Sequence, residues 1–253
     1  MDFALILTGI LWVAAVVIGY RAPRRPWVLL TVMMLFGLGS LNAAYYLHGF
    51  DTWAWYHECR SWPLTDFAPA ATGLLVGVIA ARCGDRRWWP ALVLMAVASL
   101  YAQMLPWAKP LLDPLQVPLG ARQVVRNGVI LQSTGSTCGP CALAVVLDRQ
   151  GIVASEGDLA RACYTSASGT ELWYLAREAR RRGATARFQS GGPFVAGSII
   201  GIRIVQTGHF VAVLGVDGER IHLHDSLSGL RETTEQELRV RHRFGGMALI
   251  IGD

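Results

Sequence analysis

The chain has 253 residues, of which 53% are hydrophobic and 16% charged. Its mean hydropathy of +0.36 is too high for an ordinary globular protein and excludes a chain that is uniformly soluble. The formal charge of +5 does not indicate nucleic-acid binding, because the arginines cluster in short loops and on one helix face, and five irregularly spaced cysteines exclude a disulfide scaffold and a four-ligand zinc site.

Four apolar runs in residues 1–107 predict a bundle of four transmembrane helices. The runs are residues 3–20, 28–47, 64–81 and 90–107, each long enough to cross the hydrocarbon core. The first lacks a basic start and a small-residue cleavage site, so we expect a retained span rather than a signal peptide. Isolated amides at Asn42 and Gln103, with Asp66 near the start of the third run as the one Asp, Glu or Lys in the four runs, indicate an anchor rather than a transport pathway.

Arginines in the connecting loops predict the orientation of these spans. Three arginines lie between the first and second runs, at Arg21, Arg24 and Arg25, and three lie between the third and fourth runs, at Arg82, Arg86 and Arg87. The loop between the second and third runs, residues 48–63, contains only Arg60. Because positively charged loops stay in the cytoplasm, the N-terminus and everything after residue 107 are expected on the extracytoplasmic, periplasmic side of the inner membrane.

A proline-rich linker at residues 108–120 leads to a single domain at residues 121–253. Its first half predicts a hairpin at residues 124–131 and helices at 138–150, at 158–163 with Ser155 as the cap, and at 170–182. Its second half predicts strands at residues 185–189, 199–205, 209–216, 221–225 and 247–251. Helices followed by an antiparallel sheet are an α+β order.

A polar turn places Cys138 at the N-terminal end of the first of these helices. Unpaired backbone N–H groups and the helix dipole favour a thiolate there. His209 opens one strand and Asp225 closes the next, so a base and an orienting carboxylate are available for nucleophilic chemistry. The hairpin signal at Asp217-Gly218 sets the register: a two-residue loop makes His224 the neighbour of His209, whereas a longer loop or a bulge brings in Asp225. We therefore expect a loop longer than two residues.

These residues resemble the double-glycine leader peptidases, the papain-like cysteine peptidase domains known from peptide-exporting ABC transporters. The matching residues are Gln132, Cys138-Gly139, His209-Phe210-Val211 and Asp225, within residues 129–251. The resemblance implies a papain-like fold and peptide-bond hydrolysis through an acyl-enzyme. It also implies a thiolate from Cys138, a general base in His209, orientation by Asp225, and an oxyanion hole from the Gln132 side chain and the Cys138 N–H.

Two positions depart from the family pattern, and they keep a catalytically degenerate peptide-binding module open. Thr137 stands where an acidic residue usually precedes the cysteine, and Ser226 stands where a proline usually follows the aspartate. The chain has no GxxxxGK[ST] motif, so we expect no ATP, and we expect no other cofactor, metal or nucleic acid. The predicted orientation indicates an extracytoplasmic peptide or protein substrate, either a secreted precursor or a membrane neighbour.

A redox function is the second alternative, because Cys138-Gly139-Pro140-Cys141 matches the CxxC motif of thioredoxin-like oxidoreductases. No tryptophan and no βαβ unit precede the motif, which favours the peptidase interpretation. Cys141 is open to three interpretations: a core residue, a resolving thiol, or the disulfide partner of Cys163. His222, His224 and His242 are expected to be strand and surface residues, because a zinc site formed by His222 and His224 would lack further ligands at the usual spacing.

Overall fold

The computed structural model describes residues 2–22, 25, 28, 31–32, 34, 52–82, 89–115, 124–126, 129–204 and 207–252. The chain divides into two compact units. The first unit comprises Met1–Asp51 and Trp62–Ala108, and the second comprises Thr52–Ser61 and Lys109–Asp253. The sequence places residues 52–61 in the membrane half, whereas the structure groups them with the second unit.

The N-terminal half contains four α-helices and a 3₁₀ helix within the described residues. They are α1 (Asp2–Arg21), α2 (Ala54–Arg60), the 3₁₀ helix Pro63–Ala71, α3 (Thr72–Arg82) and α4 (Trp89–Leu112). In the first unit α1 and α3 approach each other through glycines, because a Cβ at Gly77 would overlap the carbonyl of Val16 and one at Gly19 that of Leu74. Such small-residue packing is typical of helix pairs in membranes.

No single helix among the described residues combines the length and the apolar composition needed to cross a membrane. Ala54–Arg60 and Thr65–Arg82 meet the length and composition requirement only as a pair bent by 88°. The predicted region of four helical spans is therefore not supported. The predicted second span, residues 28–47, and the arginine-rich segment 83–88 lie mostly or wholly outside the described residues.

The second unit packs helices on an antiparallel sheet, which confirms the α+β prediction. Its helices are α5 (Cys138–Asp148), α6 (Glu156–Ala162), α7 (Leu172–Arg181) and α8 (Glu235–Val240). Its strands are β1 (Val124–Arg126), β2 (Val129–Leu131), β3 (Ala186–Ser190), β4 (Ser198–Ile204), β5 (Thr207–Asp217), β6 (Arg220–Asp225), β7 (Gly229–Thr234) and β8 (Met247–Ile251).

The main sheet has the strand order β3-β8-β4-β5-β6-β7, and β1 pairs with β2 separately. One face of the main sheet carries a buried aliphatic cluster that includes Ile200, Val211, Val213 and Leu223. The sequence did not predict β7 or α8. Thr234 caps α8 by accepting a hydrogen bond from the Glu237 N–H (3.2 Å), and the spacing T-x-x-E is a recognisable helix start.

A β-bulge sets the register between β5 and β6. The hairpin loop has two residues, since Asp217 pairs with Arg220, and the pairing shifts between Val213 and Gly215. A regular ladder continued from the turn would put Asp225 opposite Ala212, on the other face from His209. After the bulge Ala212 pairs with His224, so Asp225 falls opposite Val211 and shares a face with His209. The expected longer loop is absent, and the bulge provides the change of face.

Helix α2 packs on α7 and β3 within the second unit. Tyr56 and Arg60 are buried, and the Arg60 guanidinium lies 4.8 Å from the centre of the Trp173 ring. Arg177 donates hydrogen bonds to the carbonyls of Arg60 (3.0 Å) and Ser61 (3.2 Å), which lie at the C-terminal end of α2. These contacts join a segment from between two apolar runs to the C-terminal domain.

Candidate active site

Cys138 is the first residue of α5 and is almost fully buried. The turn before it is closed by Thr137, whose hydroxyl accepts from the Thr134 N–H and donates to the Thr134 carbonyl, each at 3.2 Å. Ser133 N–H donates to Glu156 on α6 at 2.8 Å and anchors the start of the turn. Thr137 thus stabilises the loop that presents Cys138, and N–H groups in the first turn of α5 have no intrahelical acceptor.

His209 and Asp225 meet across β5 and β6, as the sequence predicts for these two residues. His209 Nε2 lies 2.9 Å from Asp225 Oδ1, and both side chains are buried. Cys138 lies close enough to His209 for hydrogen bonding and charge at its sulfur to raise the pKa of the imidazole. Because Nε2 is engaged by the carboxylate, Nδ1 is the ring nitrogen left for the Cys138 sulfur.

The electrostatics of the pair favour a charged imidazolium. Burial alone would lower the pKa of His209, but its hydrogen bonds with Asp225 and Cys138 and the negative charges they carry raise it to about 9. Burial would raise the pKa of Asp225, but hydrogen bonds from His209, Ser228 and the Leu227 N–H hold it well below the usual carboxyl range. The site therefore holds a carboxylate and a protonated histidine at neutral pH.

A turn after β6 fixes the Asp225 side chain. Leu227 N–H donates to Oδ1 (2.9 Å) and Ser228 Oγ donates to Oδ2 (2.7 Å). Arg231 on β7 approaches Oδ2 at 3.4 Å. The sequence analysis did not single out these partners, although an aspartate that accepts from the backbone N–H two residues further on is typical of such turns.

Gln132 is joined to the residue that follows Asp225. Its backbone N–H donates to the Ser226 carbonyl (3.0 Å), and its Oε1 accepts from the Ser226 hydroxyl (2.6 Å). Its Nε2 donates to the Thr134 carbonyl (2.7 Å). The side chain proposed for the oxyanion hole is thus bonded both to the turn before Cys138 and to the residue after Asp225.

Cys141 and Cys163 are free thiols, so the structure does not contain the disulfide that was one of the interpretations of Cys141. The Cys141 sulfur contacts the Ile130 carbonyl and the Cys163 sulfur contacts the Tyr174 carbonyl, each at 3.5 Å. Burial is the main reason why the pKa of each thiol lies far above its usual value. Both occupy core positions.

Two further histidines within the described part of the second unit, His222 and His224, have different surroundings. His224 is buried on β6, and burial lowers its pKa. His222 lies 3.5 Å from Glu232. Among the described residues, no three His, Cys, Asp or Glu side chains are grouped so that they could hold a metal ion.

Comparisons with known proteins relate residues 126–253 to a family model described as the peptidase C39 family. An uncharacterized protein of Methanothermobacter marburgensis is 36% identical over 103 residues, which are 40% of this chain and 72% of that protein. An uncharacterized protein of Methanothermobacter thermautotrophicus is 30% identical over 125 residues, which are 49% of this chain and 87% of that protein.

Two solved structures also match about half of this chain. The peptidase domain of Streptococcus ComA, described as a bi-functional ABC transporter involved in a quorum sensing pathway, matches with a TM-score of 0.45 and 17% identity, covering 49% of this chain and 96% of that domain. A double glycine motif protease from an AMS/PCAT transporter, in complex with the leader peptide, matches with a TM-score of 0.43 and 24% identity, covering 52% of this chain and 94% of that protein.

Proposed function

The chain belongs to the peptidase C39 family, and on that premise we propose that it is a cysteine peptidase that cleaves a peptide or protein precursor. The arrangement of Cys138, His209 and Asp225 carries the proposal. A buried carboxylate 2.9 Å from one nitrogen of a histidine, with a helix-terminal cysteine near the same ring, is the arrangement that cysteine nucleophiles require.

The proposed reaction proceeds through an acyl-enzyme. The Cys138 thiolate attacks the scissile carbonyl carbon, and the oxyanion receives hydrogen bonds from the Cys138 N–H and the free N–H of the Gln132 amide. His209 donates its proton to the leaving amine, so the C–N bond breaks and a thioester remains. His209 then accepts a proton from water, which attacks the thioester and regenerates the thiolate. Asp225 keeps the imidazole oriented throughout.

The state of Cys141 favours this chemistry over a CxxC redox function. A redox pair needs a second thiol that can ionise and reach Cys138. Cys141 is fully buried, its sulfur is directed to the Ile130 carbonyl, and its pKa is raised by burial. The hydroxyl of Thr137 stabilises the nucleophile loop, which also weakens the case for a degenerate module at that position.

Alkylation of Cys138 by iodoacetamide tests the proposed nucleophile. We expect fast modification near neutral pH in the wild type and a rate lower by about tenfold or more in His209→Ala, because the thiolate loses its imidazolium partner. The rate is measured by intact mass spectrometry, with Cys138→Ala as the blank and His222→Ala as the matched control. Equal rates in wild type and His209→Ala would overturn the ion pair.

We further propose that residues 1–107 anchor the enzyme in a membrane, with the second unit on the extracytoplasmic face. The exposed side chains of α1 are largely apolar, including Ile6, Ile10 and Ile18, as expected of a lipid-facing surface. Gly73 and Gly77 on α3 form a G-x-x-x-G pair against α1. An extracytoplasmic enzyme would meet a secreted precursor or a neighbour in the same membrane as its substrate.

A further inference from the structure

Ser226 stands at a position where the resembling family usually has a proline, and its side chain is connected to the reaction centre in this chain. It is 2% exposed, so water does not replace its hydrogen bonds. Its hydroxyl donates to Gln132 Oε1 at 2.6 Å, and its carbonyl accepts from the Gln132 N–H at 3.0 Å. The backbone contact is open to any residue at this position, but the hydroxyl contact is not available to proline or alanine.

The hydroxyl determines how the Gln132 amide is presented. An amide has two N–H donors and one carbonyl oxygen. One N–H of Gln132 is bonded to the Thr134 carbonyl, and the oxygen is bonded to Ser226. The second N–H is then the donor left for a developing oxyanion. Donation from Ser226 into Oε1 also polarises the amide and strengthens its N–H groups as donors.

We propose that Ser226 is a positioning residue that holds and polarises the Gln132 amide for oxyanion stabilisation. The inference rests on the proposed function and extends it to Ser226, a residue that departs from the family pattern. Ser226 itself touches neither the substrate nor the reacting atoms. Its effect therefore depends on Gln132 and is confined to reactions that form an oxyanion.

Two reagents separate this function from a structural one. Iodoacetamide alkylates Cys138 by displacing iodide and forms no oxyanion. p-Nitrophenyl acetate acylates Cys138: the sulfur bonds to the carbonyl carbon, the carbon–oxygen bond breaks, and p-nitrophenolate leaves through a tetrahedral oxyanion. Both rates are measured on the full chain by intact mass spectrometry, with Cys138→Ala as the blank.

In Ser226→Ala we expect acylation to slow by about tenfold, corresponding to the loss of one buried hydrogen bond, while the alkylation rate stays close to that of the wild type because alkylation forms no oxyanion. Ser226→Thr, which keeps a hydroxyl, should recover much of the lost acylation rate. Ser228→Ala is the matched control, since its hydroxyl bonds to Asp225, and it should slow both reactions alike. In a Gln132→Ala background, Ser226→Ala should cause no further loss.

Equal slowing of both reactions by Ser226→Ala, or an unchanged factor in the Gln132→Ala background, would overturn the inference. Thermal unfolding of each variant distinguishes a folding defect, which would lower both rates together. Slow alkylation of the wild type, insensitive to His209→Ala, would instead contradict the proposed function and with it this inference.

Discussion

The proton on His209 is the residue-scale feature on which the proposed chemistry depends. Its pKa of about 9 results from hydrogen bonds with Asp225 and Cys138 that outweigh the effect of burial. At neutral pH the imidazolium is therefore charged, which stabilises a thiolate beside it and supplies a proton for a leaving amine. The His209 imidazole depends on the Asp225 carboxylate both for stabilising the thiolate and for donating this proton, because the carboxylate raises the pKa of the imidazole.

Replacing Asp225 by Asn should change the pH dependence of Cys138 alkylation. Without the carboxylate, burial lowers the pKa of His209, so the imidazolium is lost at a lower pH. We expect the ratio of variant to wild-type rate to be about 0.1 or less at pH 7 and to approach one above pH 9, where the wild-type imidazolium has also lost its proton. Iodoacetamide rates between pH 5 and 10 measure this ratio.

A uniform reduction across that pH range would contradict the assigned electrostatic effect of Asp225. Ser228→Ala, which removes only one of the hydrogen bonds to the carboxylate, is expected to shift the profile in the same direction by a smaller amount. The sequence predicts that His209 and Asp225 lie close together. Their hydrogen-bond partners were not predictable, because Ser226, Leu227 and Ser228 lie in a turn whose shape depends on the unpredicted strand β7.

At the scale of elements, the packing of α2 depends on arginines of α7. Arg177 donates to the carbonyls of Arg60 and Ser61, and Arg180 donates to Ser61 Oγ and Glu58 Oε1, each at 2.5 Å. Arg177 therefore binds carbonyls at the negative end of the α2 dipole. The arginines appear in the sequence as a solvated face, because their partners lie more than 110 residues away.

Arg177→Ala should loosen α2 without unfolding the sheet. Hydrogen bonds from charged groups contribute about 1.5–3 kcal/mol each, and partial exposure reduces this, so protection of the α2 amides should fall by about tenfold. Hydrogen–deuterium exchange of the peptide that contains residues 54–60 measures the change. Arg181→Ala is the control, since Arg181 is bonded to Glu178 on its own helix. Similar exchange in the two variants would contradict the proposed contribution of Arg177.

The bulge in β5 shows where a sequence argument about register ends. Alternation along V-A-V-L-G-V predicts a strand and its faces, but nothing in these letters specifies that pairing shifts between Val213 and Gly215. A bulge depends on the packing of both faces against the rest of the molecule. The sequence therefore indicates that the pairing of β5 with β6 must shift by one residue for Asp225 to share a face with His209. The structure shows where this shift occurs.

For the whole molecule, the two segments of the second unit constrain how the chain can cross a membrane. Residues 52–61 and the chain from residue 109 onward belong to one compact unit. Residues 62–108 connect these two segments, so both ends of this stretch lie on the same side of the membrane. Any membrane crossings within residues 62–108 are therefore even in number. The sequence predicts two spans in this segment, and it predicts the outer face for both ends.

Cysteine labelling tests this arrangement. In a chain with Cys59→Ser, Cys83→Ser and Cys138→Ala, we expect Trp55→Cys and Val153→Cys, at positions 51% and 84% exposed, to react with a membrane-impermeant maleimide added to spheroplasts. In a separate chain that carries Cys59→Ser and Cys138→Ala but keeps native Cys83, this cysteine of a predicted cytoplasmic loop should react only after permeabilisation. Opposite sides for positions 55 and 153 would contradict the packing of α2, and an inner location for both would overturn the proposed orientation.

The fold of the second unit was largely predictable because periodicity and caps mark its helices and long strands. The association of α2 was not, because A-W-Y-H-E-C-R between apolar runs has the composition of an interfacial segment. Trp55 and Tyr56 illustrate the difficulty: adjacent aromatic residues differ completely in burial, with Trp55 exposed and Tyr56 enclosed. Tyr56 packs edge-on against Trp173, a residue more than 100 positions away that the local sequence does not reveal.

The strand order has a consequence for the time at which activity can arise. Strand β8 lies between β3 and β4, although every other strand of the sheet precedes it in the chain. During translation the sheet therefore remains in two parts until residues 247–251 have been made, even though Cys138 was made more than 100 residues earlier. In a nascent chain Cys138 is therefore present before the six-stranded sheet can form. The proposed proteolysis is thus expected only after this unit has been synthesised completely.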